Sequence, residues 1–131
     1  MSFSPFQRTL YATEEELEAR LSVQYDTPSN ATQLIEKASE LIDEVTMGRA
    51  QGAWDDEDSE DNEDNRRALS RAVCDQVEFW VEVSESHDVA GLTGSLVAGR
   101  VQIHPVARVL SNRARRTLRN AGLLWLGVSV R

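Results

Sequence analysis

Cysteine is nearly absent from this chain of 131 residues, with Cys74 the sole example. That excludes an intramolecular disulfide framework and any multi-cysteine metal site, and a reducing compartment is the matching expectation. Histidine is limited to His87 and His104. No motif surrounds either, and nothing in the sequence brings one beside Cys74. Neither a cysteine–histidine nucleophile nor a zinc site is therefore read. Gly91, Gly94 and Gly99 lack the lysine and the spacing of a phosphate-binding loop. The longest apolar run, residues 123–126, is far too short to span a bilayer. The opening MSFSPFQRTL lacks the charged-then-apolar order of a secretory signal. A soluble protein of intracellular origin is expected, with no catalytic residue, cofactor, metal or membrane partner. Cys74 is expected to be a packed thiol.

Acidic residues are missing from the whole last third. All 22 precede position 89, while seven of the 14 basic residues lie at or after Arg100. The first 99 residues carry seven basic against twenty-two acidic side chains, a net charge of −15, and the remainder carries +7. Such polarity suits a basic end that holds a polyanion, or one that meets the acidic part of another copy.

What is present is mostly helical pattern around one stretch, about 65 to 83. On a helical wheel Ala68, Leu69, Ala72, Val73, Val77, Phe79, Trp80, Val81 and Val83 cover more than half the circumference. Arg71, Asp75, Glu78 and Glu82 form the polar stripe. A helix this apolar needs cover on two or three sides, from its own chain or from another subunit. Ahead of it, residues 1–12 read as an extended lead-in. Thr13 and Glu16 form a capping box for a helix over 14–21, with Leu17 and Leu21 inward. The turn 26–30 leads into a second helix over about 31–47, whose apolar periodicity is strong. Residues 55–64 include eight acidic side chains in ten and read as a mobile, solvated loop, with Trp54 pinning its base. Leu96, Val97, Val101 and Ile103 favour a short strand pair or β-arm bent near Gly99. Ser111 is an N-cap for a last helix over 112–121, closed by Gly122 and Leu123. The alternating tail 124–130 reads as a half-buried strand. The expected fold is mainly α: one domain over 1–131, a small helical bundle around the central helix, with a β-hairpin or arm and an extended C-terminal strand.

Three motifs in order, Tyr11-Ala12-Thr13-x-x-x-Leu17, the core from Ala72 to Trp80, and Ser111-x-x-Ala114-x-x-x-Leu118-x-x-Ala121-Gly122-Leu123, make the chain similar to the head–tail connector (adaptor) proteins of tailed bacteriophages. The likeness spans nearly the whole chain but not the acidic run or the lead-in. The resemblance implies a non-enzymatic virion subunit at the capsid neck, assembled in the host cytoplasm. It implies a ring, usually of twelve copies, that extends the DNA channel beneath the portal and presents a platform for stopper and tail-terminator proteins. It also implies a C-terminal segment that engages the portal.

Candidate contact residues for the portal or a neighbouring subunit are Arg113, Arg115, Arg116 and Arg119, with Leu124, Trp125, Leu126, Val128 and Val130 of the tail, where residues 123–131 are expected to dock. The arginines meet acidic patches, line a channel for passing double-stranded DNA without sequence-specific binding, or form a plain solvated face. Asp55, Asp56, Glu57, Asp58, Glu60 and Asp61 are lumen candidates, with a solvated loop as the plainer reading. The alternative function is a small nucleic-acid-binding regulator that uses Arg108–Arg119 as a basic helix.

Overall fold

The computed structural model describes residues 9–21, 25–84, 95–97, 100–102 and 109–124. The elements in order are α1 (Glu14–Leu21), α2 (Ala31–Val45), α3 (Arg49–Asp55), α4 (Asn62–Ser84), β1 (Ser95–Val97), β2 (Arg100–Gln102) and α5 (Asn112–Asn120). The described chain is mainly α. β1 and β2 pair antiparallel, with Leu96 opposite Val101. The expected strand over 124–130 lies outside the described residues beyond Leu124.

Local chemistry sets the helix ends. At α1 the Thr13 hydroxyl accepts from the Glu16 amide (3.1 Å) and the Glu16 carboxylate accepts from the Thr13 amide (2.8 Å). Two backbone donors that the first turn leaves open are thereby satisfied. At α5 the Ser111 hydroxyl accepts from the Ala114 amide (3.1 Å). Gly122, at φ 77°, lets the Leu123 amide reach the Leu118 carbonyl (2.9 Å) and its own amide reach Arg119 (3.0 Å). That is the left-handed closure a glycine permits without a Cβ clash.

Helix α2 stops at Val45, short of the expected Met47, because the same closure occurs there with an unusual residue. Met47 takes φ 56°, its amide bonds Glu44 and the Gly48 amide bonds Asp43. A side chain in the left-handed region costs about 1–2 kcal/mol, and Met47 is 78% exposed, so packing returns little. Met47→Gly is expected to raise the unfolding free energy by about 0.5–1 kcal/mol, seen as a higher urea midpoint, and less than the full strain because glycine is freer when unfolded. An unchanged or lower midpoint would show that the methionine side chain contributes something at this turn.

Helix α3 was not expected from the sequence. It starts on left-handed Gly48 without a side-chain cap and carries Gly52 inside it, so neither capping nor propensity announces it. Its last residue, Asp55, belongs to the acidic run, and α4 begins at Asn62. The run is therefore not one long loop. Between the helices it is a short turn with backbone bonds Glu57 to Asp55, Ser59 to Asp56 and Asn62 to Ser59. Glu63 and Asp64 sit in the first turn of α4, where the helix dipole favours negative charge.

Helix α4 packs against α1, α2, α3 and α5. Its Leu69, Ala72, Val73, Val77, Trp80 and Val81 are buried in a core shared with Leu17, Leu21, Leu34, Ile35, Ile42 and Leu118. Cover for the apolar helix thus comes from its own chain. Tyr11 of the lead-in is fully buried and its hydroxyl donates to Asp43 (2.5 Å), so this end of the lead-in docks on its own body.

Candidate interaction surface

The polar stripe of α4 is itself partly buried: Asp75 and Glu78 are 1% and 7% exposed. Arginines from distant parts of the chain cover them. Arg20 of α1 pairs with Asp75 and lies 3.3 Å from Glu78. Arg113 of α5 reaches Glu78 at 2.8 Å and Glu82 at 2.9 Å. Thr117 donates to the second Asp75 oxygen (3.1 Å). Burial opposes charge on Arg113, but the hydrogen bond to Glu82 and the fields of Glu78, Glu82 and Asp75 outweigh it, so its pKa is raised. Beside this network Gln76, fully buried, donates to the Val109 carbonyl (3.0 Å) and accepts from the Ser111 amide (2.8 Å). α1, α4 and α5 are thus tied together by polar side chains as well as by the core.

Among the candidate arginines, Arg113 is already paired with Glu78 and Glu82 of its own chain. Arg115, Arg116 and Arg119 are exposed, and no ion pair joins them to another described residue. Leu124 is half-buried and packs on the core, behind buried Leu123, so the start of the expected docking strand belongs to the body. Trp125, Leu126, Val128 and Val130 lie outside the described residues, as do His87 and His104.

The acidic turn is exposed at Asp55, Asp56, Glu57, Asp58, Glu60 and Asp61. Gln51 donates to Asp55 (3.0 Å) and Glu57 stands 3.7 Å from Arg66. Trp54 anchors its base. The indole packs on Tyr11 with ring centres 5.2 Å apart, and the Arg66 guanidinium lies 4.7 Å above it. Arg66 Nε and Asn62 both donate to the Trp54 carbonyl, at 2.9 and 3.2 Å. The turn is tied at its base while its carboxylates face solvent, as the solvated-loop reading has it.

An open groove of about 480 Å³ runs between the first half of α4 and α5, with Arg71 and Arg116 on opposite walls. It is not legible in sequence, because its walls, at Arg71 and Arg116, lie about 45 residues apart and meet through the packing of Ala114 and Leu118 in the core.

Among the described residues no cluster of His, Cys, Asp or Glu is arranged to hold a metal ion, and no helix is long and apolar enough to cross a membrane. Cys74 is buried, and burial, reinforced by the field of Glu16, pushes its thiol pKa up to about 12. The native state keeps a proton that the unfolded thiol gives up near pH 9. The stabilising effect is therefore complete below pH 9 and is lost as pH rises toward 12. At pH 8 a thiol reagent is expected to label the native protein at least ~1,000-fold more slowly than the urea-unfolded chain, following the rare unfolded fraction. Labelling at the unfolded rate would contradict this burial. No family model, curated protein or solved structure matches the chain.

Proposed function

We propose that this chain is a non-enzymatic structural subunit of a tailed-phage neck. It forms a ring, of about twelve copies by the family resemblance, that joins the portal to downstream stopper or tail-terminator proteins and extends the DNA channel. Its place is the virion neck, reached from the host cytoplasm during assembly. The β-arm and the C-terminal tail serve as docking elements beside the helical body, with main-chain pairing and Trp125 supplying contact.

One observation carries this reading. The apolar surface of α4 is already used inside the domain, while charge of both signs stands exposed in separate places: at Arg115, Arg116 and Arg119, and along residues 55–61, where Glu57 meets Arg66 but Asp56, Asp58, Glu60 and Asp61 have no ion-pair partner among the described residues. A ring needs two different patches on each copy that fit each other, and a finished body with opposed charged patches supplies that.

Truncation tests it. Because Leu123 is part of the core, the cut belongs after Leu124. Removing 125–131 is expected to leave the helical circular dichroism intact and to abolish co-purification with the portal. A truncated chain that still joins the portal would defeat the role given to the tail. The exposed arginines favour a second reading, a nucleic-acid-binding regulator. Tight duplex binding that falls steeply with added salt would support it over the adaptor.

A further inference from the structure

One face of α4 meets two fates. Asp64, Ala68, Arg71, Asp75, Glu78 and Glu82 recur at helical spacing along it. In the second half every carboxylate has a cation from α1 or α5. With 8 residues α1 covers about 12 Å of a 23-residue helix about 34 Å long, and none of its residues lines the groove between α4 and α5. There the stripe continues uncovered. Its one cation, Arg71, faces the groove with Arg116 across from it, and neither has an ion-pair partner among the described residues. Asp64 at the rim is already taken by Arg67, at 3.2 Å. Asp61, just ahead of α4, also lines the groove, but among the described residues no carboxylate pairs with Arg71 or Arg116 as Asp75, Glu78 and Glu82 pair with theirs.

We propose that the groove receives the acidic turn, residues 55–61, of a second copy, with Arg71 and Arg116 taking its carboxylates. The proposal rests on the reading above that the chain assembles with itself. Charge complementarity selects the occupant, because this turn is the densest run of carboxylates in the chain. Asp56, Asp58, Glu60 and Asp61 have no ion-pair partner among the described residues. The turn is fixed at its base by Asn62, Arg66 and Trp54, so docking orders little that was loose. Arginine forks match carboxylates two bonds at a time.

Two singly substituted chains test the contact. An Asp58→Cys chain and an Asn120→Cys chain, both changes at exposed positions, are mixed at low salt and oxidised; buried Cys74 stays silent. A mixed disulfide is expected, formed at least ~10-fold faster than either chain links to itself. It should be lost by a similar factor when the Asn120→Cys chain also carries Arg71→Glu and Arg116→Glu. Asn65→Cys, on the other wall of the groove, repeats the measurement. Sedimentation of the unsubstituted protein runs alongside. Multimers without the mixed disulfide would overturn the contact and leave assembly standing. Monomers without it would overturn both. Mixed disulfide in particles that close at two copies would support the contact and overturn the ring. Tight duplex binding abolished by Arg71→Glu and Arg116→Glu would overturn the proposal by giving the groove to phosphate.

Discussion

Arg20→Met is expected to lower the unfolding free energy by about 3 kcal/mol in urea titrations near neutral pH. Asp75 is the reason. Its side chain is 2% exposed, that of Arg20 is 30% exposed, and the two are paired. Without the guanidinium, Asp75 keeps only its bond from Thr117 while remaining sealed from water by α1 and α5. A buried carboxylate stripped of its cation is far costlier than a surface pair, which is worth at most about 1 kcal/mol. Methionine preserves the apolar stem that lies along the helix, so the loss reports charge and not packing. The cycle closes with Asp75→Asn. In the Arg20→Met background that change removes the stranded charge, so its cost there is expected to be at least ~1 kcal/mol smaller than in the unsubstituted chain. Purely additive losses, or a loss from Arg20→Met below about 1 kcal/mol, would show that the pair behaves as a solvent-exposed one.

Gln76→Leu is expected to cost about 2–3 kcal/mol and to act locally. The side chain holds both the Val109 carbonyl and the Ser111 amide, and the amide lies in a buried position at the start of α5. Leucine fills the space but offers neither partner, and each buried backbone group left unpaired costs about 1–3 kcal/mol. Val109 is exposed, so water rescues its carbonyl, which sets the lower end of that range. Hydrogen exchange separates this from general weakening. Protection is expected to fall first in α5 and to persist in α2, because α5 loses its polar tether while the core around Ile35 and Ile42 is untouched. A uniform fall across all helices would mean that Gln76 does not serve α5 in particular.

These two sites mark the limit of what the sequence displays. Thr13 with Glu16, Ser111 as an N-cap and Gly122 as a helix stop are local chemistry, written within five residues, and each stands in the structure as read. The apolar period of α2 and α4 is likewise local and names most of the core, with Phe79 and Val45 only partly buried and Ala68 and Val83 outside the core cluster. What covers the polar stripe was not legible, because the cations that bury Asp75 and Glu78 come from positions 55 and 35 residues away in the chain. Helical spacing places a carboxylate on a face but says nothing of what covers that face. The acidic run was legible as solvated but not in its anchoring, because Trp54, Asn62 and Arg66, which tie its base, are set there by packing rather than by composition. Of the candidate surface, exposed Arg115, Arg116 and Arg119 were legible as a helix face. Arg113, on the same helix, was not separable from them until its partners on α4 were known.

The measurement that bears most directly on the whole account is sedimentation velocity, with circular dichroism on the same samples, between about 0.1 and 1 M salt, where the screening length falls from about 10 to 3 Å. A finished helical body that joins its copies through charged patches is expected to form multimers of one size at the lower salt. At the higher salt it should give monomers with unchanged helicity. Monomers at every salt, or dissociation accompanied by loss of helix, would contradict it.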